Sequence, residues 1–453
     1  MAKSKDKKGS MFVCQSCGTA SLRWMGRCPS CGEWDSLVEE AGKEKPRAST
    51  ELPDARVLSE AGSLPVKRVL TGNQEFDRVL GGGLVPGSLV LLGGEPGVGK
   101  STLLLQVSDL VAGQGSRVLY VSGEESAEQI RIRGERLGVG SSSLLVSTGT
   151  DIQGITGLVE EHKPEMLVVD SIQTMYSPDL ASVPGSVGQV RECTMNFLSL
   201  AKKLNLSTIL IGHITKDGAI AGPKVLEHIV DVVLYFEGDT RHNQKLVRTV
   251  KNRFGPSHEL GVFDMTDRGL KPVENPSGLF LAERKEHVSG SVVLPAMQGT
   301  RPMLVELQAL VTRTSYSTAR RMTAGIDPNR VALLMAMLEK RSGIILNSCD
   351  VYMNVAGGLN LSEPALDLAV IAAVVSSYRD LPIDDQTAVF GEVGLAGEIR
   401  GVSSAEARIR EAFGMGFERV VLPSTNFKSL EKKDKKGLTG VGSVLDFLDI
   451  LGL

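Results

Sequence analysis

The segment from Gly94 to Ser101, GEPGVGKS, matches the spacing GxxxxGK[ST]. It follows an apolar run, SLVLLGG, and precedes a helical run, TLLLQVSDLVA. In such a loop the glycines let backbone N–H groups turn inward around phosphate, Lys100 supplies positive charge, and the Ser101 hydroxyl can ligate Mg²⁺. A glycine-rich turn without a ligand is the alternative, and the flanking runs favour the phosphate loop. ATP and Mg²⁺ are the expected ligands of Gly94, Glu95, Pro96, Gly97, Val98, Gly99, Lys100, Ser101 and Thr102.

Carboxylates end two further apolar runs. Asp170 closes the run LVVD and is expected to hold the magnesium shell together with Ser101. The run RVLYVSG is followed by Glu124 and Glu125, at the strand end where a γ-phosphate would lie. We expect Glu124 to orient or deprotonate the attacking water, with Glu125 as the second candidate. Alternatively, both glutamates only favour the N-terminus of the next helix.

Four of the six cysteines form two CxxC pairs near the N-terminus: Cys14, Cys17, Cys28 and Cys31. Two such turns give a tetrahedral Cys₄ set with no open position, so structural Zn²⁺ is expected. Clustering in a reducing compartment favours metal over disulfides, and a redox dithiol pair is the alternative. Cys193 and Cys349 are expected to be buried thiols.

Composition bounds the function without naming it. A chain of 453 residues with 42% hydrophobic and 23% charged content accommodates two or three domains. The net charge of −3 excludes a polycation, so any nucleic-acid contact needs local basic loops or oligomerisation. The N-terminus lacks the apolar segment of a signal peptide, and the longest apolar stretch, Ala365 to Tyr378, is interrupted by Asp367. We expect a cytoplasmic protein without membrane contact.

Four regions of the chain differ in amino-acid composition and in their predicted secondary structure. The Cys-rich segment 1–38 contains both tryptophans, and 39–55 has the polar composition of a linker. In 56–272, apolar strands such as MLVVD and STILIGH alternate with helical patterns, which predicts a mainly parallel sheet covered on both faces. Residues 273–453 are expected to form a second α/β domain.

A phosphate loop, a glutamate ending one strand and an aspartate ending the next resemble the RecA-like ATPase fold. The string KNRFG at 251–255, the four cysteines and the C-terminal texture are similar to the bacterial RadA (Sms) family over essentially the whole chain. The resemblance implies an α/β chain with a RecA-like P-loop ATPase core, an N-terminal Cys₄ zinc module and a C-terminal Lon-protease-like domain.

The same resemblance implies an ATP-driven motor of recombinational DNA repair. It would form a ring of identical subunits, a hexamer, with DNA-stimulated ATPase activity. It would bind single-stranded DNA and branched recombination intermediates, promote branch migration or strand displacement, and work with a recombinase or helicase partner.

Two cations in KNRFG, Lys251 and Arg253, would by resemblance reach the neighbouring subunit's nucleotide and stabilise charge on the γ-phosphate. Spaced two residues apart, they would share one face of a strand. From the residues alone, a basic hairpin exposed to solvent or touching DNA phosphate is the more natural interpretation.

The stretch TILIGHITKDGAIAGPK carries further implied roles. His213 resembles the γ-phosphate sensor, although a structural histidine at a strand end is the default. Lys216 and Lys224 would belong to a pore loop that tracks the DNA backbone. A second candidate DNA-binding loop, 176–191, ends at Arg191, and its Pro, Gly and Ser content predicts mobility.

The segment from Gly391 to Pro423 resembles the Lon protease domain, whose activity needs a Ser–Lys dyad. Aligned on that motif, the nucleophile falls on Ala365 and the lysine on Glu406, neither of which can do the chemistry. Ser362 is a nearby hydroxyl without a matching lysine. We therefore expect a scaffold rather than a protease. An ATP-dependent protease and a KaiC-like signalling ATPase are the alternative functions.

Overall fold

The computed structural model describes residues 10–14, 19–30, 32–41, 67–180, 182–213, 226–238, 244–315, 318–431 and 435–453. The chain divides into two compact units, Met1–Val273 and Glu274–Leu453. Cys17, Cys31, Lys216 and Lys224 lie outside the described residues. No helix in the described part is long and apolar enough to cross a membrane.

A small antiparallel sheet begins the first unit. Its strands are β1 (Ser10–Cys14), β2 (Ala20–Ser21) and β3 (Leu37–Ala41), in the order β2-β1-β3. Cys14, Cys28 and Leu37 form its buried core.

The rest of the first unit is built around a nine-stranded sheet. Its strands are β4 (Leu89–Gly94), β5 (Val118–Ser122), β6 (Leu144–Ser147), β7 (Met166–Asp170), β8 (Ser207–His213), β9 (Val232–Gly238), β10 (Gln244–Asn252), β11 (Leu260–Thr266) and β12 (Gly269–Pro272). Its helices are α1 (Gln74–Val79), α2 (Lys100–Gly113), α3 (Ala127–Leu137), α4 (Ile152–His162) and α5 (Val187–Leu204). Strands β4 to β9 pair in parallel, and β9 to β12 continue the sheet as an antiparallel meander.

Two hydrophobic clusters cover the two faces of this sheet. Val168 of β7 packs in one cluster and Leu167 in the other, because successive residues of a strand point to opposite faces. All five residues of β7 are buried. The predicted parallel sheet with two covered faces is therefore confirmed.

The strand order β4-β8-β7-β5 determines where the polar strand ends meet. In parallel strands the carboxyl ends share one edge, where α/β sheets bind their ligands. Gly94 pairs with His213 in register, and Ser122 pairs with Asp170. The sheet thus places the phosphate loop, the two glutamates and the aspartate on a single edge.

The second unit has a seven-stranded mixed sheet of order β15-β16-β14-β13-β17-β20-β21 and a two-stranded sheet, β18-β19. The strands are β13 (Ser291–Gln298), β14 (Arg301–Arg313), β15 (Arg321–Ala324), β16 (Cys349–Val355), β17 (Thr387–Val389), β18 (Glu392–Val393), β19 (Ile399–Arg400), β20 (Arg419–Pro423) and β21 (Leu438–Val441). The helices are α6 (Pro276–Leu281), α7 (Pro328–Ser342), α8 (Asp367–Arg379), α9 (Ala405–Gly414), α10 (Ser424–Ser429) and α11 (Val444–Leu451).

Helix α8 is the centre of the second unit. Every residue from Asp367 to Ser376 is buried, which explains why its sequence is apolar on all sides. The α-helix begins at Asp367, directly after a single 3₁₀ turn formed by Pro364–Leu366.

Candidate active site

The phosphate loop connects β4 to α2. Gly97 and Gly99 adopt positive φ angles of 76° and 118°, which L-residues with a side chain rarely take. Gly99 caps α2, so the free N–H groups of the first helical turn, which includes Ser101 and Thr102, belong to the loop. Glycine is thus required here by backbone geometry.

Lys100 is buried within this loop. Its Nζ donates to the carbonyl oxygens of Gly94 at 2.9 Å and Glu95 at 2.8 Å. Burial lowers the pKa of Lys100 to about 8, and the charges of Asp170 and Glu124 oppose that shift. The Lys100 ammonium is therefore held at the strand end by two carbonyl oxygens, and the negative charges of Asp170 and Glu124 favour its charged form.

His213 connects Lys100 to Glu124. Its Nδ1 lies 3.3 Å from Lys100 Nζ, and its Nε2 lies 2.9 Å from Glu124 Oε1. Because an ammonium can only donate, Nδ1 must accept, and Nε2 then carries the hydrogen that Glu124 accepts. The three side chains form a continuous polar connection across the edge of the sheet.

Glu124 is the better placed of the two glutamates. Its Oε1 also accepts from the Ser171 hydroxyl. The hydrogen bond from His213 lowers the pKa of Glu124 to about 2, although burial opposes the shift and Ser171 adds to it. A carboxylate with so low a pKa is a weak base, so this arrangement suits orientation of a water more than removal of its proton.

Glu125 has a different partner. Its Oε2 forms an ion pair with Arg133 NH1 of α3 at 2.6 Å. The Ser122 hydroxyl accepts from the backbone N–H groups of both Glu124 and Glu125 and so fixes the turn that separates their side chains. The structure brings Glu124, and not Glu125, into contact with His213.

Asp170 is anchored by a residue that the sequence reasoning missed. Tyr120 OH, buried in β5, donates to Asp170 Oδ2 at 2.6 Å. Among the described residues, Asp170 Oδ1 is buried without a hydrogen-bond partner. That oxygen is free to accept from a metal-bound water, which fits the carboxylate expected in a magnesium shell. The available signal was one tyrosine among the apolar residues of the strand VLYVS, before its terminal Ser122.

Lys251 and Arg253 lie at the other end of the sheet from the loop of their own chain. Lys251 Nζ donates to the carbonyl oxygens of Glu227 at 2.6 Å and Val230 at 2.8 Å, and Arg253 NH1 contacts Asp231 Oδ1 at 3.3 Å.

The strand register gives the separation. Lys251 pairs with Val233 of β9, whereas Gly94 of the loop pairs with Phe236. These positions are three residues, about 10 Å, apart along β9. The strand that would place Lys251 and Arg253 on one face does not extend to both residues, because β10 ends at Asn252.

The candidate DNA loop at 176–191 differs from the prediction. Its last five residues form the first turns of α5, which includes the exposed Arg191. The buried Gln189 side chain donates to the carbonyl oxygens of Ser177, Leu180 and Ser182, and it accepts from Ser177 N–H. Within the described residues, this one buried glutamine side chain thus links several parts of the loop.

The described cysteines agree with a metal knuckle. The thiols of Cys14 and Cys28 are buried, with Cys14 Sγ 3.2 Å from Ser36 Oγ. Each cysteine N–H donates to a carbonyl five residues further on, that of Thr19 or Glu33, so each begins a tight turn. Burial of one thiol from each CxxC pair in a core this small fits thiolate ligation of a metal. Cys193 and Cys349 are buried free thiols, as expected.

Ion pairs lie beside the two Lon-like motif positions in sequence. Ala365 is buried, and Ser362 borders a cavity of about 270 Å³. Among the described residues, its lining contains Arg330, Glu363 and Glu392 but no lysine. Arg408, 1% exposed, pairs with Glu363 at 3.0 Å, and Arg330 Nε lies 2.9 Å from Asp367 Oδ1.

Three family models match parts of the chain. The AAA domain matches residues 55–219, the Rubredoxin metal binding domain residues 12–39, and Subunit ChlI of Mg-chelatase residues 331–426. With the geometry above, they define a P-loop ATPase that carries an N-terminal metal-binding ribbon and a C-terminal Lon-like domain.

Relatives match over nearly the full length. The chain is 49% identical over 458 residues to the DNA repair protein RadA of Bacillus subtilis (strain 168), covering 99% of both chains. It is 50% identical over 428 residues to that of Listeria monocytogenes, covering 93% of this chain and 94% of the relative. It is also 49% identical over 448 residues to that of Streptococcus pyogenes serotype M1, covering 97% and 99%. The chain belongs to the RadA family of DNA repair proteins.

The low pKa of Glu124 predicts a pH-dependent contribution to stability. Because its folded pKa of about 2 lies below the ordinary 4.5, the contribution is complete above pH 4.5 and is lost as the pH falls toward 2. Glu124→Gln should therefore lower the free energy of unfolding most above pH 4.5, by less than about 1 kcal/mol because the carboxylate is more than one-third exposed.

Urea unfolding of both proteins between pH 3 and 7 measures this difference. Glu128→Gln, at an exposed site on α3, is the matched control and should change stability little. A gap that widens as the pH falls would contradict the assignment.

Proposed function

We propose that this chain is an ATP-dependent motor of recombinational DNA repair that binds single-stranded DNA and drives branch migration or strand displacement. ATP would be held by residues 94–102, and Mg²⁺ by Ser101 and the Asp170 shell. Glu124 would orient the attacking water. The relatives' name, DNA repair protein RadA, supports the DNA substrate, and a DNA substrate implies the cytoplasm.

One observation carries the proposal: the Lys100–His213–Glu124 connection. A γ-phosphate at Lys100 would compete for the ammonium that His213 now contacts, so nucleotide binding would alter the His213 position. His213 ends β8 and immediately precedes residues 214–225, where Lys216 and Lys224 are proposed to contact DNA. A change in nucleotide state could thereby reach the DNA-binding segment through one side chain.

The proposed assembly is a ring, a hexamer, in which each site uses two chains. Lys251 and Arg253 lie toward the end of β9 that is remote from their own phosphate loop, so serving that loop would require a large displacement. We therefore propose that Lys251 and Arg253 serve the nucleotide site of a neighbouring subunit instead of their own. There they would stabilise charge on the γ-phosphate. A recombinase or helicase partner completes the proposal.

The metal expected in the N-terminal module is Zn²⁺, held by Cys14, Cys17, Cys28 and Cys31. A closed set of four thiolates would act structurally, and the fold of the ribbon would depend on it.

A KaiC-like signalling ATPase is the second candidate function, because it would share the phosphate loop and the Glu124 position. Dependence of hydrolysis on DNA distinguishes the two. A protease is not proposed, since no lysine lines the cavity beside Ser362 in the part of the chain that the structure describes.

Lys100→Ala and Lys251→Ala should abolish DNA-stimulated hydrolysis for different reasons. Lys100→Ala removes a phosphate ligand, so we expect loss of nucleotide binding or hydrolysis. Lys251→Ala should retain nucleotide binding but lower kcat by about 10²–10³-fold, because only transition-state charge loses a partner.

The readouts are phosphate release with and without a single-stranded oligonucleotide, and binding of a fluorescent nucleotide. Equal hydrolysis with and without DNA in the wild type would favour the signalling candidate. Wild-type DNA-stimulated turnover in Lys251→Ala would remove that cation from the site.

Tyr120→Phe should weaken the binding of Mg²⁺ at the proposed active site. Without the hydroxyl, the Asp170 carboxylate loses the bond that orients it, so the Mg²⁺ concentration for half-maximal ATPase activity should rise by about tenfold.

Tyr235→Phe is the matched control, because it removes an equally short bond, 2.6 Å, but one to Glu227. Titration of ATPase activity with Mg²⁺ should distinguish the two variants. An unchanged Mg²⁺ dependence in Tyr120→Phe would show that Tyr120 has only a packing role.

A further inference from the structure

Both tryptophans of the chain lie in the N-terminal module, and both are exposed. Trp24 is 55% exposed and Trp34 71% exposed. Indole rings contribute most to the free energy of binding when they are buried against a partner. Two open indoles in one small module therefore indicate a contact surface.

The two rings flank one glycine. A methyl group at the Cβ position of Gly26 would lie 3.8 Å from Trp24 Cη2 and 3.8 Å from Trp34 Cζ3. The backbone fixes this arrangement, because Asp35 N–H donates to Gly26 O at 2.8 Å and Arg27 forms a β-bridge with Trp34. The rings thus border a cleft whose floor has no side chain. We call Trp24, Gly26 and Trp34 the indole cleft.

Cations adjoin the indole cleft. The Arg27 guanidinium lies 5.8 Å from the centroid of the Trp34 ring, within cation–π range. Its Nε donates to Gly32 O at 2.7 Å, which holds the group in place. Arg23 is exposed next to Trp24, and the segment 21–27, SLRWMGR, has two arginines and no acidic residue. The face has the charge that phosphate requires.

Flat aromatic faces beside guanidinium groups fit an unpaired base with its phosphate. Bases stack on aromatic rings whatever their sequence, and arginines contact the adjoining backbone. Glu33 and Asp35 are neighbours of Trp34 along the chain, so the phosphates should lie on the Arg23 side. We propose that the indole cleft binds unpaired bases of single-stranded DNA, with Arg23 and Arg27 at the phosphates. The inference rests on the proposed DNA-binding function. It adds a DNA contact outside the two candidate DNA-binding segments, 176–191 and 214–225.

The location of both tryptophans makes the test direct. With excitation selective for tryptophan, the emission of the full-length zinc-loaded chain reports on the indole cleft alone. A saturating oligo-dT single strand should quench this emission, and added salt should reverse the effect. Anisotropy of a labelled oligo-dT measures total binding independently.

Gly26→Val fills the cleft without removing a ring or a charge. Gly26 has no positive φ, so the backbone accepts a side chain there. We expect the variant to lose the quenching and to bind oligo-dT about tenfold more weakly, the effect of one lost stacking contact. Leu22→Ala, at an exposed apolar position of the same module, should retain both. Trp24→Ala should lose similar affinity and decides the matter if Gly26→Val fails to retain zinc.

Two results would refute DNA binding at the indole cleft while leaving the proposed DNA function intact. One is equal quenching in wild type and Gly26→Val. The other is full oligo-dT binding by anisotropy with unchanged tryptophan emission. The second would point to a protein ligand for this face. Absence of any oligo-dT binding would refute both the cleft and the proposed DNA function.

Discussion

The position of one buried cation governs the proposed active site. Lys100 is removed from water, and two carbonyl oxygens, the ring of His213 and the nearby charges of Asp170 and Glu124 compensate for the lost hydration. An incoming phosphate offers the same ammonium a stronger, fully charged partner. The groups that now compensate Lys100 come from the ends of β4, β5, β7 and β8, so a change at the ammonium affects the whole edge of the sheet.

Much of this could be predicted from sequence, because the elements that carry it have local signals. The loop GEPGVGKS is constrained by backbone geometry, and the apolar strands MLVVD and STILIGH were found at their observed bounds. The parallel arrangement of their ends then follows from alternation of strands and helices. His213 was named as a sensor only through family resemblance, since a histidine at a strand end has no signal of its own.

The misses share a physical origin, namely contacts between residues distant in sequence. Tyr120 and Asp170 are fifty residues apart and meet only because β5 and β7 are neighbours. Gln189 fastens a loop whose composition suggested mobility. In the second unit, Glu363 and Arg408 each lie two residues from a Lon-like motif position, and they pair with each other although they are 45 residues apart. Burying such a pair has a desolvation cost, and removing one partner would leave an uncompensated buried charge.

Subunit mixing determines whether two chains contribute to each proposed nucleotide site. Lys100→Ala chains lack the phosphate ligand but carry intact cations, whereas Lys251→Ala chains have the reverse defect. Co-assembled in equal amounts with single-stranded DNA, two nearly inactive variants should recover about a quarter of the wild-type ATPase rate, because a heterologous ring interface then joins one intact half from each. A mixture no more active than its separate components, with co-assembly verified by two affinity tags, would contradict the account.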